Sequence, residues 1–223
     1  MDKFIIAIDG PAGAGKSTIA KAASERLSAI YVDTGAMYRA AALYAMENGI
    51  DKDEKSITDA LGRIDIEIKH ECGTQHIYLN GRDVSSLIRT PEVSMGASMV
   101  AAIPAVRLKL VEIQRKLAEN QSVVMDGRDI GTYVFPDADV KIFLTASPEQ
   151  RAKRRFLEMT EKGMKADYSE ILDDIKKRDI NDAGRSFAPL VMADDAVLAD
   201  TSELNLEESI EKVIGIIKNR LDV

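Results

Sequence analysis

Residues 10–17 read Gly10-Pro11-Ala12-Gly13-Ala14-Gly15-Lys16-Ser17, a full match to the spacing G-x-x-x-x-G-K-[ST]. An apolar run, Phe4 to Ile8, leads into this segment. Sequence of helical composition, Lys16 to Ser28, leads out of it, with Ile19, Ala20, Ala23 and Leu27 on one face. A strand feeding a glycine-rich loop that feeds a helix leaves few folds open. The glycines let successive backbone N–H groups turn inward toward phosphate oxygens. The helix contributes its positive end to the same place. Lys16 is expected to reach the β- and γ-phosphates of a nucleoside triphosphate, and the Ser17 hydroxyl to ligate Mg²⁺. Gly10, Pro11, Ala12, Gly13, Ala14, Gly15, Lys16, Ser17 and Thr18 are the expected triphosphate-binding segment.

The rest of the chain repeats the strand-then-helix pattern. Ile30-Tyr31-Val32, Ser122 to Met125, Val140 to Leu144 and Ala196 to Ala199 read as further strands. Helical sequence follows the second strand to about Asn48. Ser147-Pro148-Glu149-Gln150 combines an N-cap serine, a proline at the first helical position and a capping-box glutamine. Asn205 with Glu208 caps a final helix to Leu221. This predicts an α/β fold of the P-loop NTPase type: a parallel five-stranded sheet flanked by helices. From Ile64 to Val84 the period changes, with Ile64, Ile66, Ile68, Ile77 and Leu79 alternating and Asn80-Gly81 as a hairpin turn. The expected organisation is one domain over 1–223, with a core of 1–60 and 85–223 and a small antiparallel β insert at about 61–84. A short helical lid is expected at about 150–168.

Composition removes several function classes. Lys and Arg number 30 against 37 Asp and Glu, a net charge of -7, and Trp is absent. A polyanion would be repelled and has few rings to stack on, so a nucleic-acid partner is not expected. One cysteine, Cys72, allows no internal disulfide. No apolar run approaches the roughly 20 residues of a membrane helix, and the start of the chain does not read as a signal peptide. These observations predict a cytoplasmic protein with no membrane partner. The lack of a long amphipathic seam predicts a monomer.

Asp126, at the end of the strand from Ser122, is the candidate second Mg²⁺ group beside Ser17. The arginines are placed unusually for an acidic chain: Arg39, Arg107, Arg128, Arg178 and Arg185 fall in loops and at helix ends. Arg151, Arg154 and Arg155, at i, i+3 and i+4, share one helix face. Phosphoryl transfer is mostly positioning and charge neutralisation, so this cluster is read as a closing lid over the γ-phosphate. His70 and His76 flank a turn and are read as solvated. Cys72 is read as an incidental turn residue, and the nine methionines as core filler.

On these segments the chain resembles bacterial cytidylate kinases along essentially its whole length. The similarity is carried by Ile8 to Thr18, Asp33-Thr34-Gly35-Ala36-Met37-Tyr38-Arg39, Ile88-Arg89-Thr90-Pro91-Glu92-Val93 and Asp126-Gly127-Arg128-Asp129-Ile130-Gly131-Thr132. Arg178-Asp179, Asp182, Arg185 and Ala188-Pro189-Leu190 complete it. The resemblance implies transfer of the γ-phosphoryl of ATP to CMP or dCMP, with Mg²⁺, and a role for the β insert in binding the monophosphate. It implies that Arg39, Arg128 and Arg185 bind the acceptor phosphate. Asp129 and Arg107, with Ser98, would read the cytosine. Arg178 and Asp182 would contact the sugar, and Thr34 belongs to the same acceptor set. The expected catalytic residues are Lys16, Arg128, Arg151, Arg154 and Arg155. Tyr133 departs from the smaller aliphatic residue expected beside the base-reading segment.

Other readings remain open to the same loop. A kinase for shikimate or gluconate would need a base to deprotonate a hydroxyl and would not need arginines on an acceptor phosphate. A GTP-driven switch would carry an Asn-Lys-x-Asp segment, and the chain has none.

Overall fold

The computed structural model describes residues 3–71 and 74–222. Chain contacts divide the protein into two compact units, Met1–Tyr31 with Asn120–Val223, and Val32–Glu119.

The first unit is built on the expected sheet. Its strands are β1 (Ile5–Asp9), β2 (Ile30–Asp33), whose last two residues belong to the second unit, β6 (Val123–Gly127), β7 (Val140–Thr145) and β8 (Val197–Asp200), in the order β2-β6-β1-β7-β8. β1 lies central, in parallel register with β6 (Ile8↔Asp126) and β7 (Ile8↔Ile142). Both of its faces are covered, which is why Phe4 to Ile8 reads as a continuous apolar run rather than an alternating one. Ile6, Ile8, Val124, Ile142, Leu144 and Ala199 form a core with Ile19, Ala20 and Ala23 of α1 (Lys16–Arg26) and Val213, Ile214 and Ile217 of α8 (Leu206–Leu221). Each fully buried Ile or Leu contributes roughly 1.5–3 kcal/mol. The α1 face is the one the spacing predicts, with Leu27 half-buried at its rim.

Local signals set the helix ends. Ser147 Oγ accepts from the Gln150 N–H at the start of α6 (Pro148–Glu161). The Asn205–Glu208 capping box of α8 is complete in both directions. Asp167 caps α7 (Tyr168–Ala183), which packs on α6. Asp126 and Gly127 extend the strand beyond the expected Met125. A single π-helical turn, Ile130–Val134, then leads away from the sheet edge.

In the second unit, α2 (Thr34–Glu47) starts at Asp33, whose side chain accepts from the Ala36 N–H. Its small residues, Ala36, Ala40 and Ala41 among them, pack in a core with α4 (Pro91–Val100), α5 (Pro104–Leu117) and the smaller sheet. Gly96 allows the close crossing of α4 on α2: a Cβ there would sit 3.2 Å from the Ala42 Cβ. α3 (Glu54–Ala60) precedes the small sheet, whose strands β3 (Ile66–Glu71), β4 (Thr74–Leu79) and β5 (Arg82–Asp83) are antiparallel in the order β3-β4-β5. Asn80 and Gly81 both have positive φ, 50° and 78°. That is the mirror-image hairpin turn their sequence favours, and it joins β4 to β5. Ile64, Ile66, Ile77 and Leu79 point into the core as the alternation predicts. His76 is tied through Nδ1 to Asp83 at 3.0 Å. The reading of Cys72 falls outside the described residues.

Candidate active site

The phosphate loop runs from Gly10 to Lys16 at the carboxyl end of β1. Its shape depends on glycine at two places. Gly10 has φ 150°, and a Cβ on it would lie 1.9 Å from the Leu144 carbonyl oxygen. Gly15, with φ 89°, caps α1 in the left-handed region. Lys16 is buried and donates from Nζ to the Pro11 carbonyl at 2.8 Å, curling back over its own loop. Burial, with the like charge of Arg128, lowers its pKa to about 7. The carboxylates of Asp126, Asp9 and Asp182 oppose the shift without cancelling it.

Ser17 and Asp126 meet as the sequence anticipates. Ser17 Oγ donates to Asp126 Oδ2 at 3.0 Å, while the Tyr31 hydroxyl donates to Oδ1 at 2.9 Å. A hydroxyl and a buried carboxylate, both hard oxygen donors, form a set suited to Mg²⁺, which retains several waters and takes few protein ligands. Among the described residues no cluster of three or more His, Cys, Asp or Glu could hold a metal by itself.

Arg151, expected on a lid, is almost fully buried, at 3% exposure. Its Nη1 donates to the Ala12 carbonyl of the phosphate loop and to Asp179 Oδ1, each at 3.0 Å, and Nη2 reaches Asp179 Oδ2 at 2.6 Å. Nε is held by the Ala146 carbonyl at 2.8 Å. Arg154 turns to the chain just after the edge strand β8, donating to the Thr201 and Leu204 carbonyls at 2.7 and 3.3 Å. Arg155 is exposed and pairs with Glu158 at 3.0 Å. The helix-face spacing is present, yet the three guanidiniums meet three different environments: neighbouring elements decide the partners of Arg151 and Arg154, while Arg155 pairs within α6 itself, three residues on.

Arg128, Arg178, Asp182 and Arg185 form one charged network. Asp182 receives Arg128 Nε at 2.8 Å and is also paired with Arg185 Nη2. Burial opposes the Asp182 charge, but Arg128 and Arg185 outweigh it and hold the carboxyl below its usual range. Arg178 is partly buried, and burial, then the Arg128 charge, lowers its pKa. Two guanidiniums on one carboxylate, beside Lys16, make a cationic surface in an acidic chain. Asp129 is buried and stands directly before the π turn; its carbonyl accepts the Tyr133 N–H at 2.9 Å and the Val134 N–H at 3.1 Å. Tyr133 packs edge-on to Phe187, ring centroids 5.0 Å apart, which gives the larger side chain a partner.

The remaining acceptor residues lie in the second unit. Arg39 Nη2 donates to Asp33 Oδ2 at 2.8 Å, and Arg89 approaches the same oxygen at 3.5 Å. The buried Arg39 Nε has no hydrogen-bond partner among the described residues. Arg107 is 1% exposed, donates to the Ala101 carbonyl at 3.1 Å and lies 5.4 Å over the Tyr38 ring. Thr34 is buried at the start of α2, and Ser98 is half-buried on α4.

Sequence reasoning gave no role to Tyr31, Asp33 or Asp179, which hold Asp126, Arg39 and Arg151, or to Asp9 and Lys141, which hold the chain that follows Asp129. A chain-adjacent signal existed only for Asp33, an aspartate three residues before the N–H it caps.

A family model described as cytidylate kinase matches residues 6–219. The chain belongs to the cytidylate kinase family. It is 54% identical to a cytidylate kinase of Caldicellulosiruptor saccharolyticus over 217 residues, 97% of this chain and 96% of the relative. It is 51% identical to one of Lactobacillus gasseri over 216 residues, 96% of this chain and 94% of that one. Among solved structures, an uncharacterized protein from Eubacterium ventriosum is similar at a TM-score of 0.53 and 15% identity, with 99% of each chain covered. That likeness concerns the fold alone. Among the described residues no single helix is long and apolar enough to cross a membrane.

Proposed function

We propose that this chain transfers the γ-phosphoryl group of ATP to CMP or dCMP, giving ADP and CDP or dCDP. Family membership supports the reaction class, and one feature of the site supports the acceptor. Arg128 and Arg185 share the single carboxylate of Asp182 next to a buried Lys16. Forked donors in that number suit a dianionic phosphate, which is already a nucleophile and needs no general base.

In the proposed mechanism, ATP binds with its phosphates on the amides of Gly10 to Thr18. The anions favour the charged form of Lys16, which then pairs with β- and γ-oxygens. Ser17 and Asp126 would hold Mg²⁺, which when bound neutralises charge on those oxygens. Arg151 keeps the Ala12 end of the loop in place through its buried bonds, and in this reading residues 150–168 act as the lid with residues 61–84 as the acceptor insert. In the first unit Arg128 and Arg185 grip the acceptor phosphate, and Arg178 and Asp182 contact the rest of the nucleotide.

Base choice follows from donor and acceptor pattern. The cytosine amine is a donor, and the Asp129 side chain offers it an acceptor. Uracil presents an oxygen where cytosine has the amine, and two acceptors facing each other discriminate against UMP. A coupled ADP-release assay with CMP, dCMP, UMP, AMP and shikimate offered separately tests the reading. CMP and dCMP should support turnover well above the others. Equal rates with shikimate or AMP would contradict it.

A further inference from the structure

Asp9 ends β1 directly before Gly10 and is 6% exposed. Its Oδ1 accepts the Ile130 N–H at 2.8 Å, and its Oδ2 accepts the Gly131 N–H at 2.7 Å. These amides belong to the two residues immediately after Arg128-Asp129. There is also little room for a side chain at Gly131. A Cβ on Gly131 would lie 3.2 Å from the Lys141 side-chain carbons and 3.4 Å from Asp9 Oδ2. Lys141 donates to the Pro136 carbonyl and to both oxygens of Asp195, at 2.9 and 2.7 Å. The start of the π turn is therefore held by Asp9 of β1 and packed by the Lys141 side chain of β7, which also holds the chain just beyond the turn at Pro136.

Burying a carboxylate is costly, and an apolar residue at the same strand end would avoid that cost. Burial pushes the Asp9 pKa up to about 6 even though both amides oppose the shift. A group kept at such a cost at the root of the phosphate loop has a consequence for the turn it holds. We infer that Asp9 is a positioning residue: it fixes the Arg128–Asp129 backbone to the strand that carries the phosphate loop, and so tunes acceptor binding without touching substrate. This rests on the acceptor roles proposed for Arg128 and Asp129.

The test uses Asp9→Asn, which keeps one acceptor oxygen, and Asp9→Ala, which keeps none. Hydrogen exchange across residues 128–134 is followed alongside Michaelis constants for CMP and ATP. Exchange in that segment should quicken in Asp9→Asn while the amides of α8 stay protected. KM for CMP should rise about tenfold, the scale of one lost hydrogen bond to a charged group, with KM for ATP within about twofold. Asp9→Ala should exceed both effects; if it does not fold, Asp9→Asn alone decides. Unchanged exchange in folded Asp9→Asn, or equal rises in the two Michaelis constants, would overturn the inference. Asp129→Ala separates the two readings. If it leaves KM for CMP and the preference over UMP unchanged, the base assignment falls, while exchange and the CMP constant in Asp9→Asn still decide the role of Asp9, because Arg128 rides on the same backbone.

Discussion

Arg151 and Asp179 form a two-pronged ion pair, at 3.0 and 2.6 Å, in which the guanidinium is buried and the carboxylate is partly exposed. The same guanidinium supports the Ala12 carbonyl of the phosphate loop. Asp179 thus bears on ATP binding although it is not expected to meet ATP. Asp179→Ala should strand the buried charge and cost about 1–3 kcal/mol of stability, less than for a pair buried on both sides. It should also raise KM for ATP more than KM for CMP. Denaturant unfolding and steady-state kinetics check both parts, and an ATP constant that does not move would separate the pair from the loop.

Lys16 gives a prediction in protons. Its folded pKa of about 7 lies below the ordinary 10.5 because burial, and after it the like charge of Arg128, outweigh the carboxylates of Asp126, Asp9 and Asp182. Triphosphate oxygens favour the charged form, so binding of Mg·ATP at pH 8 should be accompanied by net proton uptake at Lys16. Calorimetry in buffers of different ionisation enthalpy measures this. The sign extends to stability of the nucleotide-free protein: a lowered folded pKa means the burial penalty is full below about pH 7 and fades as pH rises from there toward 10.5. The stability gained in Lys16→Met should therefore shrink over that window.

Asp182 stands between two guanidiniums. Asp182→Ala should release Arg128 and Arg185 from their shared partner and loosen the acceptor end. KM for CMP is expected to rise about 10- to 100-fold, with KM for ATP within about threefold. Equal changes in the two constants would place Asp182 in the fold rather than in acceptor binding.

Gly10 is set by space rather than by chemistry. A Cβ there would lie 1.9 Å from a β7 backbone oxygen, and φ is 150°. Gly10→Ala must move the loop or the strand and should cost about 3 kcal/mol or more. A near-normal melting temperature would contradict the packing described for the loop.

Local features were the legible ones. The phosphate loop, the α1 face, the Asn205–Glu208 cap and the Asn80-Gly81 turn each depend on residues within a few positions of one another, so spacing alone reveals them. Asp9 and Gly131 are 122 positions apart, and Ser17 and Asp126 are 109 apart. Only the second meeting could be anticipated, because phosphate-loop chemistry calls for a carboxylate at the end of a neighbouring strand. Nothing calls for Asp9. Arg151 and Arg154 mark the opposite limit: helical period brings them to one face with Arg155, but α7 and the phosphate loop claim Arg151 and the Thr201–Leu204 turn claims Arg154, while Arg155 stays with Glu158 of its own helix. The partners of Arg151 and Arg154 arise from tertiary packing, which periodicity does not encode.

The most direct measurement follows the phosphorus itself. With ATP labelled at the γ-position and CMP in excess, the label should appear in CDP in step with ADP, and little should appear in inorganic phosphate. Label released only as inorganic phosphate, or CDP no faster than UDP when UMP replaces CMP, would contradict the account.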